Sequence, residues 1–289
     1  MMVLQKQKRY SNTTKVFRKL YKSKLSLFGI IVLVITILVA MFAPLVSPFD
    51  NTETDFFKTF AKPSIEHPMG TDELGRDVFS RIVYGSRITI VVGVVAVLIA
   101  MVPGVALGLI AGYWRGKVDT VISGILDAIW AFPTLILALA ICAVLGPGLP
   151  NILLAIGIVY TPGFARVVRN MVLSVREMEY VQGARAIGLN DFEIIVRYIL
   201  PNISSVIIVQ TSLNAAQAII AEASLSFLGL GIQAPQASWG SMLKTGYQYI
   251  SIAPWLSVFP GICILITVLG LNFLGDGLRD ALDVRIRTD

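Results

Sequence analysis

Residues 88–113 read ITIVVGVVAVLIAMVPGVALGLIAGY, a stretch from Ile88 to Tyr113 without one charged side chain. A helix needs roughly 20 apolar residues to cross the hydrocarbon layer of a bilayer, so this run is long enough to span. Similar runs lie on both sides of it: Leu25–Val46, Ala128–Pro150, Pro150–Ala165 (shorter, closed by Arg166), Ile203–Ala221 and Trp255–Leu274. The pattern predicts an all-α polytopic membrane protein with six transmembrane helices. Composition agrees. Of 289 residues, 55% are hydrophobic and 15% charged, and the mean hydropathy is +0.75, where a soluble domain carries about 25% charged residues. A disordered chain, a disulfide-rich secreted domain and a soluble enzyme are excluded.

The rare residue types narrow the chemistry. A single histidine, His67, leaves no multi-histidine metal site within the chain, and no metal site is expected. Cys142 and Cys263 both fall in apolar runs and read as buried free thiols rather than a disulfide framework. The net charge of +6 would suit nucleic acid, but its distribution gives another reading. Eighteen of the 24 basic residues fall in the tail 1–24, segments 114–118 and 166–202, and the C-terminal segment. The alternating segments 47–87 and 222–254 hold six. Lys and Arg mark the cytoplasmic side, so both termini and segment 166–202 are predicted cytoplasmic, with the basic tail anchored near anionic lipid. No nucleic-acid partner is expected. No cleavable signal peptide is evident, because the first apolar run has full span length and its nearest cleavage-like site carries Pro44. The chain then divides into a basic tail (1–24), a first transmembrane helix (25–46), an extracytoplasmic loop (47–87), a five-helix core (88–280) that includes cytoplasmic loop 166–202, and a cytoplasmic C-terminus (281–289).

Two spans carry patterned residues. Ala96, Ala100, Gly104, Gly108 and Gly112 recur every fourth position on one helix face, where missing side chains let a neighbouring backbone approach. This is a packing seam, either static or one that slides during a conformational cycle. Pro103 should bend the same helix. Gln210, Asn214 and Gln217 share one face of the fifth span. Amides do not face lipid, where their hydrogen-bonding groups find no partner, so this face either lines a polar pathway or seams two helices. Glu222 is placed beyond the end of that span, and Asp127 at a helix end; neither is assigned a proton-carrying role.

Segment 166–202 is the most informative. It predicts a helix over Ser174–Ile187 with Gly188 as a left-handed C-terminal cap. Asn190 then caps a second helix, Glu193 completes a capping-box-like pair, and Leu200-Pro201 is expected to end that helix. A structured hairpin with an apolar face, between two spans, should dock onto something. DNA is a poor candidate, because the five basic residues meet four acids.

Gln182-Gly-Ala-Arg-Ala-Ile-Gly188, followed by Leu200-Pro201, resembles the EAA loop of ABC importer permeases: Glu-Ala-Ala, three residues, Gly, nine residues, Ile, one residue, Leu-Pro. The spacing fits without a gap, with Gln182 in place of Glu, Gly183 in place of Ala and Tyr198 in place of Ile. His67-Pro-Met-Gly-Thr-Asp-Glu-Leu-Gly-Arg-Asp77, Ser80-Arg81, Tyr84-Gly-Ser-Arg87, Ser224–Gly231 and Gly275–Asp283 are similar to the "C" member of the dipeptide/oligopeptide/nickel permeases. The resemblance implies a MetI-like type I transmembrane domain in a bacterial or archaeal plasma membrane. The implied partners are a second homologous permease, two cytoplasmic ABC ATPases and an extracytoplasmic substrate-binding protein. Gln182, Gly183, Ala184, Gly188, Leu200 and Pro201 would form the ATPase-coupling loop. The implied cargo is di- or oligopeptides, with nickel chelates, glutathione or another small solute as alternatives.

This chain carries no phosphate-binding Gly-x-x-x-x-Gly-Lys-Ser/Thr loop; its one Gly-Lys pair, Gly116-Lys117, is followed by Val118. ATP and Mg are therefore expected on the partner ATPases, with no cofactor and no enzymatic activity in this chain. A membrane-embedded enzyme would need a clustered constellation that Asp127 and Glu222 do not make. An ATP-independent channel or secondary transporter would have no use for a docking hairpin.

Overall fold

The computed structural model describes residues 19–282, and the basic tail before residue 19 and residues 283–289 lie outside them. Nine helices carry the described architecture: α1 (Lys24–Met41), α2 (Val78–Trp114), α3 (Gly116–Trp130), α4 (Thr134–Leu145), α5 (Leu149–Val175), α6 (Glu179–Ala186), α7 (Asp191–Phe227), α8 (Trp239–Gln248) and α9 (Trp255–Leu282). Five of them, α1, α2, α5, α7 and α9, are long and apolar enough to cross a membrane; a sixth crossing exists if α3 and α4 are counted together.

The expected third span is thus not one straight helix. α3 and α4 meet at an 85° bend because Pro133 sits in extended backbone (ψ 128°) and cannot continue α3. The twelve residues of α4 rise about 18 Å, short of the roughly 30 Å of a bilayer core. Other helices outrun their apolar runs. α5 reaches Val175, so residues expected to begin a separate helix at Ser174 still belong to it, and the next helix starts at Glu179. Leu200-Pro201 does not end a helix either. A π turn over Ile195–Ile199 precedes Pro201 and leads straight into Leu200–Phe227. The wider turn takes up a residue that has no N–H to donate. Helix α8 lies in segment 222–254, where no helix is predicted from hydropathy.

The centre is built on backbone contact between α2 and α5. A β-carbon at Gly104 would lie 2.6 Å from Phe164 Cβ and 2.8 Å from Thr161 O. One at Gly108 would meet Val168 Cβ at 2.8 Å, and one at Gly112 would meet Val172 Cβ at 2.7 Å. Ala96 and Ala100, on the same face, are fully buried. Where lipid tails are as apolar as leucine, this close fit supplies the association that hydrophobicity cannot. α1 closes on α9 in the same manner, since a β-carbon at Gly29 would strike the Gly270 carbonyl; Arg87 Nε donates to Ala40 O at 2.8 Å and ties α1 to α2.

The start of α2 lies ten residues before its uncharged run because a buried polar cap supports it. Asp77 accepts from Ser80 N and Ser80 Oγ, both at 2.7 Å, and its other oxygen lies 3.0 Å from His67 Nδ1. Asp72 accepts from Arg76 Nε at 2.7 Å and stands 3.4 Å from Arg81 Nε. Segment 47–77 is therefore organised by buried carboxylates, while its Phe60 and Met69 pack against the apolar cluster of Val78, Ile82, Trp239, Met242 and Leu256. Trp239 of α8 joins this cap by donating Nε1–H to Ile82 O at 3.0 Å.

Two expectations follow. Gly108→Val should destabilise the protein by about 3 kcal/mol, whereas Gly163→Ala, which meets nothing within 4 Å, should leave it within about 0.5 kcal/mol of the parent; thermal unfolding in detergent compares them. Asp77→Ala should loosen segment 47–77 by about 1–3 kcal/mol, read as faster amide exchange there with α5 protection unchanged.

Candidate functional site

Helix α2 runs from the cap to the opposite end of the bundle, where α6 and the start of α7 form a hairpin. Its turn is set by Gly188 (φ +85°), with Leu189 N donating to Ala184 O at 3.2 Å and Gly188 N to Arg185 O at 3.1 Å, the Schellman pattern that terminates a helix. Asn190 then caps α7: its Oδ1 accepts from Glu193 N at 2.8 Å, and its Nδ2 donates to Glu193 Oε2 at 3.2 Å. Sequence and structure agree on this turn, because each of its residues acts within five positions of itself.

The hairpin has two faces. Val181, Ala184, Ile194, Ile195 and Ile199 are buried and pack with Tyr113, Val168, Val172, Val175 and Ile203. Each fully buried aliphatic among them stabilises the hairpin by about 1.5–3 kcal/mol. Tyr113 locks the base, donating its hydroxyl to Asp191 Oδ1 at 2.6 Å while its carbonyl accepts from Arg176 Nη1; Arg185 lies over its ring at 5.5 Å. The outer face carries Gln182, Gly183, Gly188 and Pro201, all exposed. Added β-carbons at Gly183 and Gly188 would meet nothing within 4 Å. Of the residues singled out from sequence, Ala184 turns into the core, 4% exposed, and Leu200 is half-buried. Two residues that sequence reasoning passed over dominate the tip: Ile187 is 77% exposed and Phe192 75%. Their signal was an apolar residue on each side of the turn Gly188–Asn190, where solubility alone would favour polar ones.

Further along α7, the three amides divide. Gln210 lines a cavity of about 320 Å³ with Ser205, Val209 and Arg279. Gln217 lines another of about 200 Å³, between α4, α5 and α7, with Thr134, Tyr160 and Ser224; the Tyr160 hydroxyl donates to Gln217 O at 3.3 Å. Asn214, between them, is buried and its Nδ2 has no partner among the described residues. The face is polar along its length, but the two ends open into separate spaces.

Ion pairs fasten α3 to α5. Arg169 holds Asp119 through two bonds, 2.5 and 2.7 Å. Arg166 bonds Asp127 Oδ1 at 2.6 Å and sits 3.7 Å over the Trp130 ring. Asp127 is thus a paired group. Glu222 is not beyond the helix, as apolar counting had it, but inside α7 and 2% exposed. Counting stopped too early because the residues after Ala221 are small and polar yet pack inward. Cys142 is buried, Cys263 half-buried, and both are free thiols. Among the described residues, no group of three His, Cys, Asp or Glu side chains is placed to hold a metal.

Comparison with known proteins places this geometry. Residues 104–288 match the family described as binding-protein-dependent transport system inner membrane component. Residues 11–63 match the N-terminal transmembrane domain of oligopeptide transport permease C. The chain is 48% identical to the dipeptide transport system permease protein DppC of Alkalihalophilus pseudofirmus, over 95% of this chain and 90% of that one. It is 43% identical to the glutathione transport system permease protein GsiD of Pectobacterium atrosepticum, over 90% of this chain and 86% of that one. A solved inward-facing structure of the MetNI methionine ABC transporter superposes with a TM-score of 0.59 at 20% identity, over 70% of this chain and 97% of that one, and so shares the fold. With its all-helical type I transporter fold and apolar helices of spanning length, the chain belongs to the binding-protein-dependent transport system inner membrane components and is an integral-membrane permease of an ABC importer.

Proposed function

We propose that this permease pairs with a second, homologous permease, that two cytoplasmic ATPases grip the hairpins of the pair, and that an extracytoplasmic binding protein delivers a di- or oligopeptide. ATP and Mg act on the ATPases; this chain binds neither. In this reading the bent pair α3–α4 supplies the sixth crossing, and both termini and the hairpin face the cytoplasm, in line with the excess of Lys and Arg on that side. The observation that carries the reading is the hairpin itself: a rigidly seated element whose outward face offers bare glycines flanked by exposed Ile187 and Phe192. An apolar tip held in water by a well-packed base is a surface made for a partner. Closure of the ATPases would move the hairpin, and α7 with it, between outward-open and inward-open states.

Peptide is the favoured cargo because relatives at 48% and 41% identity carry dipeptide names. Glutathione, itself a peptide, is the second reading, supported by the relative at 43%. The polar face of α7 suits either: Gln210 and Gln217, each lining a cavity, offer donors and acceptors to amide groups without a net charge.

Gly188→Arg should abolish co-purification of the ATPase subunits. Gly146→Arg, which imposes a similar strain at a positive φ of +86° in open space elsewhere, should retain it; retention in both would sink the docking role. Gln217→Ala should raise the KM for peptide uptake about three- to tenfold, corresponding to the loss of one hydrogen bond of about 1 kcal/mol, with ATPase co-purification intact. An unchanged KM would remove Gln217 from the pathway.

A further inference from the structure

Between α1, α2 and α9 lies an apolar groove of about 240 Å³, with Ile35, Thr36, Val83, Ser86, Cys263 and Ile266 in its walls. α1 and α9 touch at Gly29 and Gly270, and the groove opens one to two turns further along both helices. Ile35 is 55% exposed and Ile266 40%. Both stand on helices of membrane-crossing length, so the open side faces the bilayer. Polar groups in the walls are already bonded: Thr36 Oγ1 donates to Val32 O at 2.9 Å, Ser86 Oγ to Val83 O at 2.6 Å, and Trp239 Nε1 to Ile82 O at 3.0 Å. A peptide would find few partners there, and a hydrocarbon chain needs none.

A cation stands at the rim. Arg87 follows the groove residue Ser86 on α2, and its Nε donates to the carbonyl of Ala40, which follows the groove residue Val39 on α1. It is the last charged residue before the uncharged run 88–113, which sets it at the edge of the hydrocarbon layer. The guanidinium lies 5.1 Å from the Tyr84 ring centroid. Among the described residues it makes no ion pair, and Nε is its one hydrogen-bonding nitrogen. A cation at this depth calls for an anion, and the two Nη groups match the paired oxygens of a phosphate. A phospholipid brings that phosphate and an acyl chain in one molecule.

We propose that this groove is a phospholipid site: one acyl chain lies between α1, α2 and α9, and the phosphodiester of the same molecule binds the Nη edge of Arg87. The lipid fills the space left beyond the Gly29–Gly270 contact and holds α1 to the bundle. The site is independent of which solute the permease carries and of what the hairpin docks onto.

The test gives the complete transporter, in detergent micelles, a phosphatidylglycerol with a diazirine on one acyl chain. After irradiation, peptide mass spectrometry locates the adducts. The wild type should carry them on the groove segments 35–39, 79–86 and 263–267, and excess unlabelled phosphatidylglycerol should reduce them at least fivefold. A diacylglycerol with the same diazirine chain and no phosphate should label the groove at least fivefold less. Arg87→Gln, which keeps an N–H for Ala40 O but loses the charge, should lower phosphatidylglycerol labelling at least fivefold. Thr36→Phe, which fills the groove and leaves Arg87 in place, should do the same. Absent or uncompeted adducts in the groove, as when a neighbouring permease covers it, overturn the proposal. So does equal labelling by diacylglycerol, or wild-type labelling in either variant. If Arg87→Gln does not assemble, the two probes on the wild type decide alone.

Discussion

Everything in this molecule leans on the contact between α2 and α5, where Gly104, Gly108 and Gly112 let one backbone lie against the side-chain bases of Phe164, Val168 and Val172. In a bilayer, helices gain nothing by hiding leucine from lipid, so association depends on fit. The seam gives that fit over about two turns and fixes where α2 ends. The end of α2 presents Tyr113, and Tyr113 seats the hairpin through Asp191 and Arg176. The position of the outward-facing glycines is thus a consequence of a packing contact that begins in the middle of the bundle.

The two ends of the molecule differ in what their buried polar groups do. At the hairpin, aliphatic residues bury against one another and leave an apolar tip outside. At the cap, Asp72, Asp77, Arg76 and Arg81 are buried and satisfy one another and the backbone. A buried network of this kind is costly to disturb in part, because each partner removed leaves the other enclosed and unpaired. The cap is therefore built to keep its shape, while the hairpin is built to meet a partner. Helix α7, unbroken from one to the other, is the structural link between them.

Much of the site was legible because its signals are local. Gly188, Asn190 and Glu193 specify a helix stop and a helix start by chemistry that acts over three or four residues, and the spacing to Pro201 tied that turn to a family. The helix boundaries were less legible. Hydropathy finds the uncharged middle of a helix, whereas α2 starts at Val78 and α5 continues to Val175, through arginines and an asparagine that pair with neighbours or reach the surface. Proline was ambiguous in the same way: Pro133 breaks the chain by 85°, while Pro201, preceded by a π turn, is absorbed into α7. The same residue type gives both outcomes, because the surrounding packing decides whether the backbone can widen.

The sequence by itself determined that the chain is an apolar helical membrane protein, which segments are basic, where the hairpin turns, and which small residues share a face. These follow from solvation and from periodicity, both properties of the chain taken alone. Only the tertiary structure decided which helix that small-residue face meets, that Ala184 points inward while Ile187 and Phe192 point out, that Gln210 and Gln217 open into separate cavities, and that Glu222 is enclosed within the bundle. Those depend on contacts between residues far apart in the chain, and no local rule of spacing or hydropathy encodes which distant surface a residue will face.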